Sequence, residues 1–369
     1  MDSSIADQIK KIEEEIFNTQ KNKATEHHIG KLKAKISRLK DEAEKRKSQS
    51  SKGKGFSIKK SGDATVGLIG FPSVGKSTLL NKMTGASSKI GIYDFTTLDA
   101  IPGIMKYKGA DIQLLDLPGI IKGASEGRGR GKEILSAIRN VDLAVLMIDA
   151  KQIHHLHLIE NELYGAGLRL NQKPPDVIVN KKDKGGINVY STLKLSFLTE
   201  EIIKSIASEF VINADVIVRQ DITQDQLIDS FSTNRIYVPG LVVINKKDLV
   251  KQSDIISITQ EIKDKGLPVI AVSAITGEGI PQLQEAIFNK LNLIRVYLKP
   301  VGKKTDFNEP LILSKNAKVE DACRKLHREF KRKFRYATIS GPSAKHDTQK
   351  VGLDHILQDK DILTLVIWR

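Results

Sequence analysis

Near the start of the chain, apolar residues recur every three or four positions in two stretches, residues 5–16 and 29–43. This spacing places apolar side chains on one face of a helix. We therefore expect residues 4–45 to form a helical hairpin. The next stretch, residues 45–62, is basic, rich in Ser and Gly and weakly apolar, which predicts a flexible linker.

Beyond the linker, short continuous apolar runs alternate with amphipathic segments. Such runs are typical of strands buried on both faces of a parallel sheet, and the alternation predicts an α/β fold. The predicted strands are residues 65–69, 112–115, 143–149, 241–244 and 268–272, and the predicted helices include residues 77–83 and 279–292.

Two further patterns lie outside this alternation. Residues 172–235 contain their own strand and helix patterns and are too structured for a loop, so they predict an inserted βαβ-type domain. From residue 293 the pattern changes again, with a strand at 294–298, one helical face from Val319 to Phe334 and strands at 337–339 and 362–367. One helix on a small mixed sheet predicts a β-grasp arrangement.

Charge is concentrated in two segments of this 369-residue chain, whose net charge is +15. Residues 1–62 hold 16 Lys and Arg against 9 Asp and Glu, and residues 318–335 hold 8 against 3. A basic surface favours a polyanionic partner, with RNA as the leading class and a solubility charge as the alternative.

Other classes are disfavoured by what the sequence contains. The single Cys323 excludes an intramolecular disulfide and a cysteine metal cluster. Clustered histidines, such as His27 with His28, are expected to lie on the surface. No apolar run is long enough to cross a bilayer, and the first residues carry no apolar signal core, so we expect a cytoplasmic protein without membrane contact.

Between a predicted strand and a predicted helix lies a match to G-x-x-x-x-G-K-[ST]. Glycines allow a tight turn whose N–H groups point at phosphates, and the helix N-terminus adds a favourable dipole. Lys76 is expected to reach the β- and γ-phosphates, and the Ser77 hydroxyl to ligate Mg²⁺. The predicted phosphate-binding residues are Gly70, Phe71, Pro72, Ser73, Val74, Gly75, Lys76, Ser77 and Thr78.

Two later motifs complete the predicted phosphate end. In the loop at residues 93–98, a threonine is expected to ligate Mg²⁺ and sense the γ-phosphate; Thr97 is preferred and Thr96 is the alternative. Asp116 ends a predicted strand and suits the carboxylate that holds Mg²⁺ through water, and the Gly119 N–H suits the γ-phosphate. The predicted metal residues are Ser77, Thr97 and Asp116, and the predicted catalytic residues are Lys76, Thr97 and Gly119.

The motif N-K-x-D, which can read guanine, occurs twice, at Asn180 and at Asn245. The second copy follows a full buried strand and precedes Ser273-Ala274 at the end of another, so we assign the base site to Asn245, Lys246, Asp248, Ser273 and Ala274. Asp248 would accept two hydrogen bonds from guanine, which adenine does not offer. Asn245 and the Ala274 N–H would read its other edge. The first copy is predicted to be a surface turn.

Together, these residues resemble the developmentally regulated GTP-binding proteins, a branch of the Obg-like P-loop GTPases. The resemblance covers nearly the whole chain and rests on residues 19–25, 70–77, 93–98, 119–131 and 347–366. It implies a ribosomal-protein-like insert, a C-terminal TGS domain, a role around ribosomes and translation, and a small regulatory partner protein.

The predicted fold is therefore α/β: a P-loop GTPase core with an N-terminal helical hairpin, an inserted βαβ-type domain and a C-terminal β-grasp (TGS) domain. The predicted domains are 1–62 for hairpin and basic linker, 63–171 with 236–292 for the GTPase domain, 172–235 for the insert, and 293–369 for the TGS domain. Apart from its partners, the protein is expected to be a monomer.

One residue departs from the pattern of many GTPases at a position that affects GTP hydrolysis. Ile120 stands where many GTPases place a water-orienting glutamine, and an alkyl side chain cannot hydrogen-bond water. Intrinsic turnover is therefore expected to be slow, with Arg128 or Arg130 as weak candidates for charge supplied in cis. Some Obg-related enzymes use K⁺ held by a phosphate-loop asparagine; Ser73 occupies that place here, which predicts modest K⁺ stimulation.

The sequence thus predicts a slow, Mg²⁺-dependent GTPase that cycles between GTP and GDP as a ribosome- or RNA-associated switch. The alternative is an RNA- or ribosome-binding factor in which nucleotide mainly supports the fold.

Overall fold

Ten helices and sixteen strands are formed by the residues that the structure, a computed structural model, describes: 4–20, 22, 25–50, 62–84, 102–117, 138 and 141–368. The helices are α1 (Ile5–Asn18), α2 (Glu26–Ser50), α3 (Lys76–Thr84), α4 (His154–Gly165), α5 (Glu200–Ser208), α6 (Gln224–Phe231), α7 (Gln252–Asp264), α8 (Ile280–Lys290), α9 (Val319–Leu326) and α10 (Arg328–Arg332). The strands are β1 (Ala64–Gly70), β2 (Pro102–Tyr107), β3 (Ala110–Asp116), β4 (Leu143–Asp149), β5 (Leu168–Leu170), β6 (Val177–Lys181), β7 (Ile187–Ser191), β8 (Ala214–Val218), β9 (Ile236–Val238), β10 (Gly240–Asn245), β11 (Val269–Ala271), β12 (Leu293–Leu298), β13 (Leu311–Ser314), β14 (Phe334–Ser340), β15 (Gln349–Val351) and β16 (Asp361–Ile367).

The largest sheet has six strands in the order β11-β10-β4-β1-β3-β2. Neighbouring strands from β11 to β3 are parallel, and only the β2–β3 pair is antiparallel. All seven residues of β1 are buried, as expected for a strand covered on both faces. Because the strands are parallel, Gly70, Asp116, Asp149 and Asn245 all lie at the same, carboxyl edge of the sheet, where ligands bind in open α/β folds.

The chain divides into two units: Met1–Phe56 with Leu163–Tyr237, and Ser57–Glu162 with Val238–Arg369. The first unit contains the hairpin of α1 and α2 and a three-stranded sheet of order β6-β8-β7. Ala34 of α2 belongs to the same core as Ile203 of α5 and Val216 of β8. The predicted hairpin and inserted α/β domain are therefore both present.

Helix α2 extends further than expected. The linker was predicted to begin at residue 45, but the helix continues to Ser50. Lys, Arg and Gln have high helix propensity, which favours continuation over the Ser/Gly signal. Residues 51–61 of the predicted linker lie outside the described residues.

The second unit also contains a five-stranded sheet of order β13-β12-β16-β14-β15, with α9 packed on one face. This is the expected β-grasp arrangement. The single helical face predicted from Val319 to Phe334 is wrong in its second half. His327 is extended, with φ −169° and ψ 147°, and its ring accepts a hydrogen bond from the Glu329 N–H at the start of α10. Phe334 then begins β14.

Within the described part of the chain, no helix has the length and apolar character needed to span a bilayer.

Candidate functional site

The loop between β1 and α3 is built around two glycines that leave no room for a side chain. Gly75 has φ +96°, and a Cβ there would collide with the Asn245 amide. A Cβ on Gly70 would lie 2.6 Å from the Met147 carbonyl oxygen. The residue types demanded by the motif are thus required by the local backbone as well as by any ligand.

Lys76 is the first residue of α3, and its ammonium turns back into the loop. Its Nζ donates to the carbonyl oxygens of Gly70 at 3.0 Å and Phe71 at 3.2 Å. Partial burial lowers the pKa of Lys76, and the Asp116 carboxylate opposes that shift. The cation is therefore held at the loop by neutral acceptors, which anionic oxygens could replace with stronger, charge-assisted bonds.

Ser77 and Asp116 meet below the loop. The Ser77 hydroxyl donates to Asp116 Oδ2 at 2.7 Å, and Asp116 is only 7% exposed. Its other oxygen, Oδ1, is buried and has no hydrogen-bond partner among the described residues. An unsatisfied buried carboxylate oxygen is costly. Hydroxyl and carboxylate oxygens are the donors that Mg²⁺ prefers, so these residues fit a magnesium ion with its bound water.

Asn245, at the end of β10, connects two loops. Its side chain is 2% exposed; Nδ2 donates to the Val74 carbonyl at 2.8 Å, and Oδ1 accepts the Ala274 N–H at 3.0 Å. The amide thus ties the phosphate loop to the segment after β11. Its direct reading of guanine stays a prediction, because both ends of the amide are engaged within the protein.

The other predicted base-site residues lie around Asn245. Asp248 is exposed on a short 3₁₀ turn, Lys247–Leu249. Ser273 is fully buried, and its hydroxyl accepts the Thr276 N–H at 3.2 Å. An exposed carboxylate can accept hydrogen bonds from a ligand without moving buried groups.

Lys246 has a partner that the sequence reasoning missed. Its backbone is left-handed, with φ 62°, and its Nζ donates to Asp149 Oδ2 at 2.7 Å. Burial acts to raise the pKa of Asp149, but the hydrogen bonds from Lys246 and the Lys151 N–H outweigh burial and lower it. The signal available in the sequence was the position of Asp149 at the carboxyl end of a buried strand.

A second missed contact lies on the phosphate loop. The ring of Phe71 stacks on His155 of α4, with ring centroids 4.0 Å apart and planes 27° from parallel. Burial lowers the pKa of His155, the neighbouring His154 adds to that shift, and Asp149 opposes it. No feature of the sequence pairs Phe71 with this helix.

The first N-K-K-D copy begins in a strand, which corrects the predicted turn. Asn180 and Lys181 are the last residues of β6 in the three-stranded sheet, and Lys182 pairs with Asp215 of β8. By contrast, the copy at 245 lies at the carboxyl edge of the six-stranded sheet.

Several predicted site residues lie outside the described residues. They are Thr96, Thr97, Gly119, Ile120, Arg128 and Arg130.

Comparison with known families gives three matches that cover most of the chain. Residues 65–181 match the 50S ribosome-binding GTPase family, residues 184–293 match the C-terminal region of that domain, and residues 294–367 match the TGS domain. These matches confirm the predicted fold class, with a P-loop GTPase core and a C-terminal TGS domain.

Relatives match along nearly their whole length. An uncharacterized GTP-binding protein of Methanocaldococcus jannaschii is 54% identical, over 99% of this chain and 93% of that protein. The developmentally-regulated GTP-binding protein 1 of Xenopus laevis is 43% identical, over 97% and 98%. The ribosome-interacting GTPase 1 of Saccharomyces cerevisiae is 42% identical, over 99% of each chain.

Proposed function

The chain belongs to the developmentally regulated GTP-binding protein family, and from this premise we propose that it hydrolyses GTP to GDP and phosphate as a ribosome-associated switch. The observation that carries the proposal is the paired Ser77 hydroxyl and Asp116 carboxylate beneath the phosphate loop, with a buried Asp116 oxygen unsatisfied by the described residues.

At the phosphate end, Ser77 and Asp116 would hold Mg²⁺, joined by Thr97, which lies outside the described residues. Mg²⁺, when bound, offsets negative charge on the phosphate oxygens and polarises the phosphoryl group. Lys76 exchanges its two carbonyl acceptors for β- and γ-phosphate oxygens, and the Gly119 N–H contacts the γ-phosphate. The backbone N–H groups of residues 70–78, except Pro72, which has none, would enclose the phosphates.

At the base end, Asp248 accepts from the guanine ring N–H and exocyclic amine. Asn245 and the Ala274 N–H would read the other edge of the base, which requires them to exchange their bond to each other for bonds to guanine. The Lys246 stem would lie against the ring. Because Asp149 holds the Lys246 ammonium at 2.7 Å, that stem is fixed before nucleotide binds, which reduces the entropy lost on binding.

The intrinsic rate is proposed to be slow, because Ile120 cannot orient water. Charge or a positioned base must then come from elsewhere, and we propose modest stimulation by K⁺ near Ser73. Equal turnover in Na⁺ and K⁺ would count against the K⁺ proposal.

Ribosomal RNA is the proposed polyanionic partner of the basic segments at residues 1–62 and 318–335. The yeast relative is named a ribosome-interacting GTPase, which supports the ribosome as the partner but does not identify the segment that binds it. A small regulatory protein and an otherwise monomeric chain complete the proposal. We assign the domains as 1–62, 63–171 with 236–292, 172–235 and 293–369.

The test compares ribosome association in GTP, GDP and no nucleotide for the wild type and Lys76→Ala, with Lys265→Ala as the surface-lysine control. If the protein is a switch, ribosome association should depend on the bound nucleotide in the wild type and in Lys265→Ala. This dependence should be lost in Lys76→Ala. Ribosome association that is the same in GTP, in GDP and without nucleotide for every variant would favour the alternative, a binding factor in which nucleotide supports the fold. Turnover with and without ribosomes locates the missing catalytic help.

A further inference from the structure

One face of the five-stranded sheet in the C-terminal part of the second unit is partly exposed among the described residues. Along β14 and β16, buried residues such as Ala337 and Leu363 alternate with partly exposed ones such as Thr338 and Thr364. The buried set packs with α9. The partly exposed set therefore lies on the opposite face, which we call the open face.

A β-bulge changes which side chains reach the open face. The pairing register between β14 and β16 shifts between Phe334 and Tyr336. Phe334 and Ala337 both pack with the core on the α9 side, although they are three residues apart. The extra residue lets Arg335 and Tyr336 both point away from that core, and bulges often re-aim side chains at functional sites.

These re-aimed side chains form a cluster of cations and aromatic rings. The Arg335 guanidinium lies 4.5 Å from the ring centroid of Trp368 and 5.7 Å from that of Tyr336. The Lys350 ammonium lies 4.3 Å from the Tyr336 ring centroid. Trp368 is 58% exposed, so a large part of its ring is available to a flat ligand.

A second aromatic pair lies on the same face. Tyr297 and Phe307 have centroids 5.1 Å apart, and Phe307 is 61% exposed. Tyr297 is in register with Ile362, which is in register with Ser340, four residues beyond Tyr336. Strand geometry places the two aromatic groups about 16 Å apart on the sheet.

Charge and chemistry identify the occupant. The open face itself presents the Arg335 guanidinium and the Lys350 ammonium beside its aromatic rings, and these cations attract a polyanion. Separated aromatic rings stack unpaired bases, and guanidinium planes do the same. Cross-strand hydroxyls of Thr338 and Thr364 lie between the two pairs, where a ribose 2′-OH can bond to them.

We propose that the open face binds single-stranded RNA by stacking bases on the Tyr336–Trp368 cluster and on the Tyr297–Phe307 pair. Apart from Arg335, which ends the basic segment at residues 318–335, this surface differs from that segment, because α9 lies on the opposite face of the sheet. The proposal specifies the RNA partner of the proposed function, but it requires no hydrolysis.

The test uses the full-length protein and a 12-residue oligouridine RNA. Trp368 is the only tryptophan of the chain, so its fluorescence reports this site without a label. Addition of the RNA should quench it. Tyr336→Ala should weaken binding about 5- to 100-fold, the effect of one lost stacking contact, whereas Tyr336→Phe should bind like the wild type. Lys350→Ala should lower the slope of log affinity against log salt concentration by about 1.

Arg332→Ala, an exposed arginine at the end of α10, is the matched control for charge loss on the other face. If Arg332→Ala weakens binding and Tyr336→Ala does not, the basic helix is the RNA site and the proposal is overturned. If fluorescence anisotropy of labelled RNA shows binding but the Trp368 fluorescence does not change, the RNA binds elsewhere and the proposal is also overturned. Equal affinity for oligodeoxyuridine would refute RNA as the specific occupant. Quenching of Trp368 fluorescence by a protein partner but not by RNA would identify the open face as a protein-binding surface.

GTP turnover of each variant separates the two proposals. Normal turnover in Tyr336→Ala with lost RNA binding supports the RNA face and leaves the GTPase proposal intact. Absent turnover in the wild type with normal quenching would remove the GTPase proposal and keep the RNA face.

Discussion

Replacing Asp229 by alanine tests whether a buried ion network holds the first unit together. Asp229, on α6, is 6% exposed and accepts hydrogen bonds from Arg169 Nε at 2.5 Å, from Arg169 Nη2 at 2.7 Å and from Arg235 Nε at 2.6 Å. Arg169 is 3% exposed and stacks 3.7 Å from the Tyr164 ring centroid. The substitution leaves the buried Arg169 guanidinium and the partly buried Arg235 guanidinium without their counter-ion.

The expected loss in the free energy of unfolding follows from those contacts. Three charge-assisted hydrogen bonds at about 1.5–3 kcal/mol each set an upper limit. Because the arginines regain some water, the expected loss is the value for breaking a buried pair, about 3–5 kcal/mol. With a urea slope of about 2 kcal/mol per molar, the unfolding midpoint of this unit should fall by about 2 M.

The assay is urea unfolding followed by circular dichroism, with hydrogen exchange of α6 peptides to assign the transition to this unit. Asp225→Ala is the control on the same helix; its pair with Lys33 is 42% exposed on both sides, and its loss should cost no more than about 1 kcal/mol. Equal midpoints for the two variants would refute the buried-network reasoning. Replacing Arg169, Asp229 and Arg235 together by apolar residues of similar volume should recover most of the lost stability.

Three more predictions concern the second unit. Ser73→Asn should increase the stimulation of GTP turnover by K⁺ over Na⁺, because it restores the asparagine that holds K⁺ in some related enzymes. The substitution should not strain the loop, since asparagine accepts the left-handed φ of 62° at this position. An unchanged ratio of turnover in K⁺ to turnover in Na⁺ would place K⁺ elsewhere. Hydrogen bonds from Lys108 and then Tyr107 lower the pKa of Glu285 from 4.5 to about 2, so its stabilising contribution is complete above pH 4.5 and is lost as the pH falls through about 2. Thermal unfolding of Glu285→Gln should lack that part of the pH dependence, and parallel profiles would contradict the assignment. Asp248→Asn should weaken GTP binding and admit xanthosine triphosphate in calorimetric titration; unchanged GTP affinity would exclude Asp248 from the base site.

Local signals allowed the sheet and its loop to be predicted from the sequence. The strand β4 was predicted at its observed bounds because six apolar residues, 143–148, run without interruption up to Asp149. The phosphate loop was recognisable because its glycines are required by local backbone geometry.

Contacts between distant residues could not be predicted in this way. The pairing of Lys246 with Asp149 and of Asp229 with two arginines depends on which strands and helices become neighbours. The break at His327 was missed because apolar periodicity continues across it, and the bulge at Arg335 leaves no periodic trace. Thr97 and Gly119 remain predictions, because they lie outside the described residues.

The adjacency of β4 and β10 has a consequence for the order of folding. Asp149 and Lys246 touch although 97 positions separate them along the chain. If residues 163–237 fold first, the free chain that must close is reduced to about 20 residues, which lowers the closure cost by about 1.4 kcal/mol and speeds closure about tenfold. Pulsed hydrogen exchange should then find β8 protected before β10. During synthesis, the strand that carries Asn245 would be completed only after the intervening segment had emerged and folded, so a nascent chain would contain its phosphate loop long before the residues predicted to read guanine.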